Sequence, residues 1–388
     1  MSNPQLDKAT GTLTAQWYNA VVLACKADRN QFQLAQGNMS IGTLSEDLWN
    51  ILNVVPPKSA SSYFDPAQYN LFSQDYSGVM SQLIPQGDTA LQSAMGDAYS
   101  EWIAFGATNK DTSPEAFKTW ATLNHPSQAA QWYGLYLSVS LSPVMQAQQA
   151  LYDVSQDPNK NIFAYNKTIA NLKSQLAANQ PSAEATIDSS SSSSDITDTW
   201  AGGGGSFFYG MFSIDGNGSY SSTASKMVES KMTVKASFEK VVTFQGGPLA
   251  EPSKDQTLKN YTPWFNSSAL NIAYQTKDNT VWKYGQPSWE TTFGPNGNMQ
   301  RMASALIVVD GVTISVTSEA SFSTADQTKI QQQVSGGFFP FFQASESSTY
   351  TNSVSFDSSG KATMTSKSML GNPVIIGVLV DPIASVIG

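Results

Sequence analysis

Apolar residues occupy alternate positions from Val228 to Phe244. Val228, Met232, Val234, Ala236, Phe238, Val242 and Phe244 fall on one side, with Glu229, Lys231, Thr233, Lys235, Ser237, Glu239 and Thr243 between them. Side chains alternate across a strand, so this stretch predicts a strand with one apolar face. A second stretch, Leu306 to Phe322, repeats the pattern through Leu306, Val308, Val312, Ile314, Val316, Ala320 and Phe322, interrupted on its apolar side by Asp310 and Ser318. At ~3.4 Å per residue each would reach roughly 55 Å, far beyond an ordinary strand. The pattern predicts an elongated antiparallel sheet, or strands broken by bends.

Upstream the period changes to that of a helix. Leu13, Trp17, Val21 and Ala24 step along one face, and Thr43 with Glu46 reads as a capping box ahead of Leu44, Leu48, Ile51 and Leu52. Asp65-Pro66 and Ser113-Pro114 read as caps followed by proline in the first turn. Tyr69 to Leu83, Leu91 to Phe105 and Phe117 to Leu123 each carry apolar residues at spacings of three and four. His125-Pro126 marks a boundary, and Pro143 should kink or divide the helix running from Ser127 towards Asp153. Ile162, Tyr165, Ile169, Leu172 and Leu176 predict a last amphipathic helix. The aromatic stripes on these helices read as core.

The composition shifts at Asn179. Six serines, Ser189 to Ser194, and four glycines, Gly202 to Gly205, cannot repay the entropy of ordering and predict a linker or loop. The expected organisation is therefore α+β: an irregular α-helical bundle over 1–178, a Ser/Gly-rich linker over 179–205, and an antiparallel β-rich domain with long strands over 206–388. Within the last part, two blocks run from glycine through phenylalanines into a Ser/Thr stretch. The first holds Phe207, Phe208 and Phe212, the second Phe338, Phe339, Phe341 and Phe342. They predict either an internal duplication or convergent strand chemistry. Asp357 to Gly360 reads as a hairpin turn and Val374 to Val380 as a buried final strand.

Charge narrows the classes of function. Only 13% of residues are charged, about half the usual share. The surface must then be built from Ser, Thr, Asn and Gln, which suits a secreted or assembly-forming protein. The net charge is −9 and Arg29 and Arg301 are the only arginines, so no basic cluster is present to displace counterions from nucleic acid. No basic region followed by an apolar core opens the sequence, and no window of about 18 apolar residues occurs. The expectation is a soluble protein, secreted or released without a recognisable N-terminal signal, with a cytoplasmic location as the alternative.

Candidate chemistry is sparse. Cys25 and His125 are the sole cysteine and histidine, which leaves no thiolate cluster and no two-histidine site. No Gly-x-Ser-x-Gly elbow accompanies His125, and Asp215-Gly216-Asn217 lacks the later ligands of a calcium loop. Glu251, Asp255, Asp278 and Glu290 offer carboxylates, but nothing in their spacing selects a pair. No metal and no cofactor are expected.

The most suggestive cluster is Trp264, Trp282, Tyr284 and Trp289, read as loop aromatics of the β half. Such rings can stack on sugars or sit at a membrane interface; the competing reading is that they fill a core. Phe212 to Ala224 and Phe342 to Phe356 have the Ser/Thr content of membrane-inserting hairpins and Val228 to Phe238 has their alternation, although Glu346 and Asn352 spoil the apolar face of the later segment. The sequence thus predicts a non-catalytic, toxin-like protein whose β-rich half engages a cell-surface receptor, glycan or lipid membrane, with pore formation and self-association within that reading. The alternative is a glycan-binding or structural assembly module, and the third an enzyme with unrecognised carboxylate chemistry.

Overall fold

The computed structural model describes residues 4–60, 62–67, 70–109, 111–156, 162–178, 180–188, 226, 230–278, 280–283, 287–335, 338–339, 342–343 and 350–387. In chain order the elements are α1 (Pro4–Cys25), β1 (Phe32–Ser40), α2 (Ser45–Leu52), α3 (Phe72–Gln82), α4 (Asp88–Met95), α5 (Asp97–Asn109), α6 (Pro114–Asn124), α7 (Ala129–Ser140) and α8 (Pro143–Gln156). Then come α9 (Ile169–Ala177), β2 (Ala183–Asp188), β3 (Met232–Gln245), α10 (Ser267–Gln275), α11 (Trp289–Phe293), β4 (Arg301–Ser318) and α12 (Thr324–Ser335). The chain closes with β5 (Phe338–Phe339), β6 (Phe342–Gln343), β7 (Tyr350–Phe356), β8 (Ala362–Ser368), β9 (Val374–Pro382) and α13 (Ile383–Val386). The protein is α+β, with most helices in the N-terminal half and an antiparallel sheet built mainly from the C-terminal half.

Two compact units interleave along the chain. One comprises Met1–Tyr69, Lys167–Gly246 and Ala303–Asp381, and the other Asn70–Asn166, Gly247–Met302 and Pro382–Gly388. The first is the sheet unit. Its main sheet runs β1-β9-β4-β3-β2, with β8 also paired to β4 and β7 to β8, while β5 and β6 form a separate small ladder. The two long alternating stretches pair with each other, Met232 opposite Ser318 through to Gln245 opposite Ala305. Met232, Val234, Ala236 and Phe238 share a core with Trp17, Tyr18, Val21 and Val22 of α1, each large side chain contributing roughly 1.5–3 kcal/mol. Thus α1 covers a sheet and is not a member of a helical bundle.

Several boundaries differ from the sequence expectation. β4 begins at Arg301 because Ala305 and Leu306 pair with the far end of β3. It stops at Ser318, where the Ser318 hydroxyl accepts a bond from the Ala320 N–H and draws the chain out of the ladder. β1 was not expected: Phe32 and Leu34 are buried as alternation predicts, but Gln33 is buried too, its amide donating to the Pro57 carbonyl at 2.7 Å. Ala183–Asp188, inside the stretch read as linker, is strand β2 paired with β3. The serine and glycine runs lie outside the described residues.

The second unit is helical. Ser113 caps α6 as predicted, accepting from the Ala116 N–H at 3.2 Å, and Pro143 divides α7 from α8. Asp65 does not cap α3; it accepts from Ala67 N–H in a tight turn instead. Residues 263–297, read as part of the β half, supply α10 and α11 to this unit. Their starts are fixed by Asn266, which accepts from the Ala269 N–H at 2.9 Å, and by Ser288, which accepts from the Thr291 N–H at 3.4 Å.

Candidate functional site

A cavity of about 710 Å³ lies within the helical unit, inside the usual range for small-molecule sites. Two helices give it facing stripes. From α5 come Tyr99, Trp102, Ile103 and Gly106, at the spacing of three and four that places residues on one helix face. From α8 come Met145, Gln148, Gln149, Tyr152 and Gln156, an equally regular stripe. Asp88 and Leu91 of α4, Thr112, Tyr136 of α7, and Lys283 add to the lining.

The wall is built from fixed groups. Trp102 and Tyr136 are almost fully buried, at 3% and 2% exposure, and meet edge to face with ring centres 5.5 Å apart. Tyr136 stacks on Phe117 at 4.0 Å and donates its hydroxyl to the Thr112 carbonyl at 2.6 Å. The Thr112 hydroxyl donates to the Gln149 side-chain oxygen at 3.2 Å, and the Gln149 amide donates to Asp153 at 2.8 Å. The Gln148 amide donates to the carbonyls of Met80 and Leu83 at 2.6 and 3.0 Å. These wall residues are therefore held in one orientation before a ligand arrives.

Two charges of opposite sign face this space. Asp88 stands in the first turn of α4, where the helix dipole favours an anion, and accepts the Tyr99 hydroxyl at 2.8 Å. The turn before it needs Gly87, whose φ of 87° is left-handed. Burial raises the Tyr99 phenol, and its bond to Asp88 together with that residue's charge raises it further, so the hydroxyl stays a donor. Lys283 donates to the Ser81 carbonyl at 3.0 Å. Partial burial lowers its pKa and the charge of Asp88 opposes that shift.

Of the aromatic group singled out in the sequence, Trp264 and Trp282 are buried. Trp264 is fully buried, donates its indole N–H to the Ala164 carbonyl at 2.7 Å and meets Tyr76 edge to face at 5.6 Å. Trp282 is 4% exposed and its chain forms an antiparallel bridge with Leu83. Trp289 is half-buried, donates to the Tyr274 carbonyl at 2.6 Å and lies under Lys277, 4.9 Å from ring centre to Nζ. These rings belong to the helical unit, and Trp264 and Trp282 are core. Tyr284 lies outside the described residues, as do Phe207, Phe208, Phe212 and Phe341. Phe338, Phe339 and Phe342 lie on the β5–β6 ladder, described by its backbone alone.

Three of the remaining candidates, His125, Asp255 and Asp278, have structural duties. His125 closes α6, its Nε2 3.0 Å from the Glu101 carboxylate and its ring between Trp120 and Trp132 at 5.4 and 5.1 Å. Burial pushes the Cys25 thiol up to about 12, which leaves it protonated and unreactive. Asp255 and Asp278 hold turns, accepting from the N–H groups of Thr257 and Thr280. Among the described residues no group of three or more His, Cys, Asp or Glu could hold a metal ion, and no helix is long and apolar enough to cross a membrane.

Sequence reasoning missed the cavity because Tyr99, Trp102 and Tyr136 read as ordinary core. A signal was present in α8, where Gln148, Gln149 and Gln156 surround Tyr152 on one inward face. Comparison with protein-family models, characterised proteins and solved structures finds no match to this chain, so the geometry carries the functional reading.

Proposed function

We propose that this protein acts by binding, and that the cavity between α5 and α8 takes a short, uncharged, polyhydroxylated ligand such as a mono- or disaccharide. The observation that carries this reading is the composition of the lining: tyrosine and tryptophan rings beside three side-chain amides, one carboxylate and one ammonium. A sugar presents an apolar C–H face and a rim of hydroxyls. The rings suit the first, and Asp88, Gln149 and Gln156 suit the second. Asp88 and Lys283 sum to no net charge, which favours a neutral ligand over an ionic one. A single lining carboxylate supports binding over glycoside hydrolysis, which ordinarily uses two.

Screening on a glycan array followed by fluorescence titration tests the reading. Tyr152→Ala and Asp88→Asn should each weaken binding about tenfold, the equivalent of one lost stacking or hydrogen-bonding contact of ~1.4 kcal/mol. Trp282→Phe, in the core, should leave affinity unchanged. An array without hits, or variants that bind as the parent does, would reject it.

A second reading, engagement of a membrane by the sheet unit, is favoured by one feature. Met369 and Leu370 are 65% and 50% exposed in the turn between β8 and β9. Asp310 fixes the backbone just after them through the N–H groups of Gly371 and Asn372. Pore formation and a toxin-like role rest on this feature and on Ser/Thr-rich strands alone. Dye release from liposomes that is lost in Met369→Ser/Leu370→Ser would support it; vesicles that stay sealed at every lipid composition would set it aside.

A further inference from the structure

Hydrogen-bonding roles in the cavity between α5 and α8 are restricted by the bonds its wall makes to itself. The Gln148 side-chain nitrogen has two hydrogens, and both are directed at backbone oxygens, those of Met80 at 2.6 Å and Leu83 at 3.0 Å. Turning the amide over would set oxygen against oxygen at both contacts, so its orientation is fixed. Gln148 therefore has only its side-chain oxygen to offer a ligand. Asp88 is likewise an acceptor: Tyr99 gives its one hydroxyl hydrogen to Oδ2 at 2.8 Å, and the other carboxylate oxygen has no hydrogen to give. Tyr136 has spent its hydrogen on the Thr112 carbonyl at 2.6 Å, and Thr112 its own on Gln149 at 3.2 Å. The groups that keep hydrogens to donate lie differently. Lys283 and Gln156 are exposed, whereas Asp88 and Gln148 are half-buried; Gln149, also half-buried, keeps one amide hydrogen beyond the one it gives to Asp153.

Building on the reading of this cavity as a sugar site, we infer that Asp88 and Gln148 are its specificity-determining residues, and that they select sugars with free hydroxyls at two positions by each taking a hydrogen from the ligand. A hydroxyl can donate or accept, so an unmodified sugar satisfies both groups. An ether, an ester or a carbonyl has no hydrogen to give. Set against the Asp88 carboxylate or the Gln148 oxygen, it leaves two acceptors facing each other and neither paired, the situation in which a polar site rejects a near-identical ligand most strongly. The ligand class narrows accordingly to sugars that are neither methylated nor acylated at those two positions.

Titration of the full chain with D-glucose, D-galactose and D-mannose, each beside its monodeoxy and monodeoxyfluoro derivatives, tests this through tryptophan fluorescence. Fluorine in place of a hydroxyl accepts weakly but cannot donate. At two ring positions the deoxy and fluoro derivatives should therefore weaken alike, by about tenfold where the hydroxyl meets Asp88 and about fivefold where it meets Gln148. In Asp88→Asn, Tyr99 can still donate to the amide oxygen, which leaves the amide nitrogen as a donor towards the ligand. The gap between hydroxyl and fluoro sugar should then close at the first position and persist at the second, and Gln148→Met should do the reverse. If Gln148→Met does not fold, Asp88→Asn decides the question alone. Fluoro derivatives that bind as the parent sugar does, or a first gap that survives in Asp88→Asn, would overturn this inference and leave the sugar-site reading standing. Failure of all three sugars to bind would also overturn it, and the glycan array then decides the sugar-site reading separately.

Discussion

Asp310 is 4% exposed, yet its carboxylate has a defined set of partners: it accepts from the N–H of Gly311 at 3.0 Å, of Gly371 at 2.9 Å and of Asn372 at 3.0 Å. It stands where β4 passes from one neighbour to another, with β8 paired along Thr313–Thr317 and β9 also bordering the strand. The carboxylate replaces ladder bonds that the departing chain cannot make. Gly311 follows with φ of 65°, and a Cβ there would come within 2.7 Å of Glu239. Asp310→Ala should therefore cost about 2 kcal/mol in urea unfolding, since one buried and two part-buried donors lose their acceptor. A loss under about 1 kcal/mol, the net worth of one ordinary hydrogen bond, would show that water satisfies the turn.

Asp75 behaves in the opposite sense. Burial raises its pKa above the ordinary 3.8, a bond from Asn298 only partly offsetting this, and one carboxylate oxygen has no partner. The native state then holds the proton more tightly than the unfolded chain does. Stability falls as pH rises from 3.8 through the raised native value, because the unfolded chain gives up its proton first and the folded protein must then carry a buried charge. Asp75→Asn should melt higher than the parent at pH 7, with the gain shrinking towards pH 3. Thermal unfolding across that range checks the sign, and a variant that melts lower at pH 7 would contradict it.

Among the elements, β3 and β4 were legible because period two survives burial on one face. In the middle of β4, buried on both faces from Ala305 to Val312, alternation fades into the apolar run Ala305 to Val309. The helices of the second unit were legible by caps and by proline. Ser113→Ala should cost about 1 kcal/mol in thermal unfolding, the usual worth of a cap that accepts an N–H. What stayed hidden was tertiary. Nothing in Leu13 to Ala24 says that α1 lies on a sheet, because an apolar helical stripe fits a helix or a sheet equally well. Trp264 and Trp282 misled for a related reason: an aromatic residue looks the same in sequence whether its face meets solvent or Tyr76.

For the whole molecule, low charge has a structural counterpart. Polar surface in both units is supplied largely by hydroxyl and amide groups, as on the outer face of β7 and the α8 stripe. The boundary inferred from composition near Asn179 and the interleaved units diverge because chain composition records local order, while compactness depends on which distant segments share a core. The cavity was illegible for the same reason, since its stripes on α5 and α8 are joined only by folding. Hydrogen exchange of the full chain, with and without a saturating glycan identified on the array, is the sharpest probe of ligand binding in the cavity. Slowed exchange confined to 97–109 and 143–156, with 232–245 unchanged, is the predicted result; protection that falls on the sheet strands, or none at all, would contradict it.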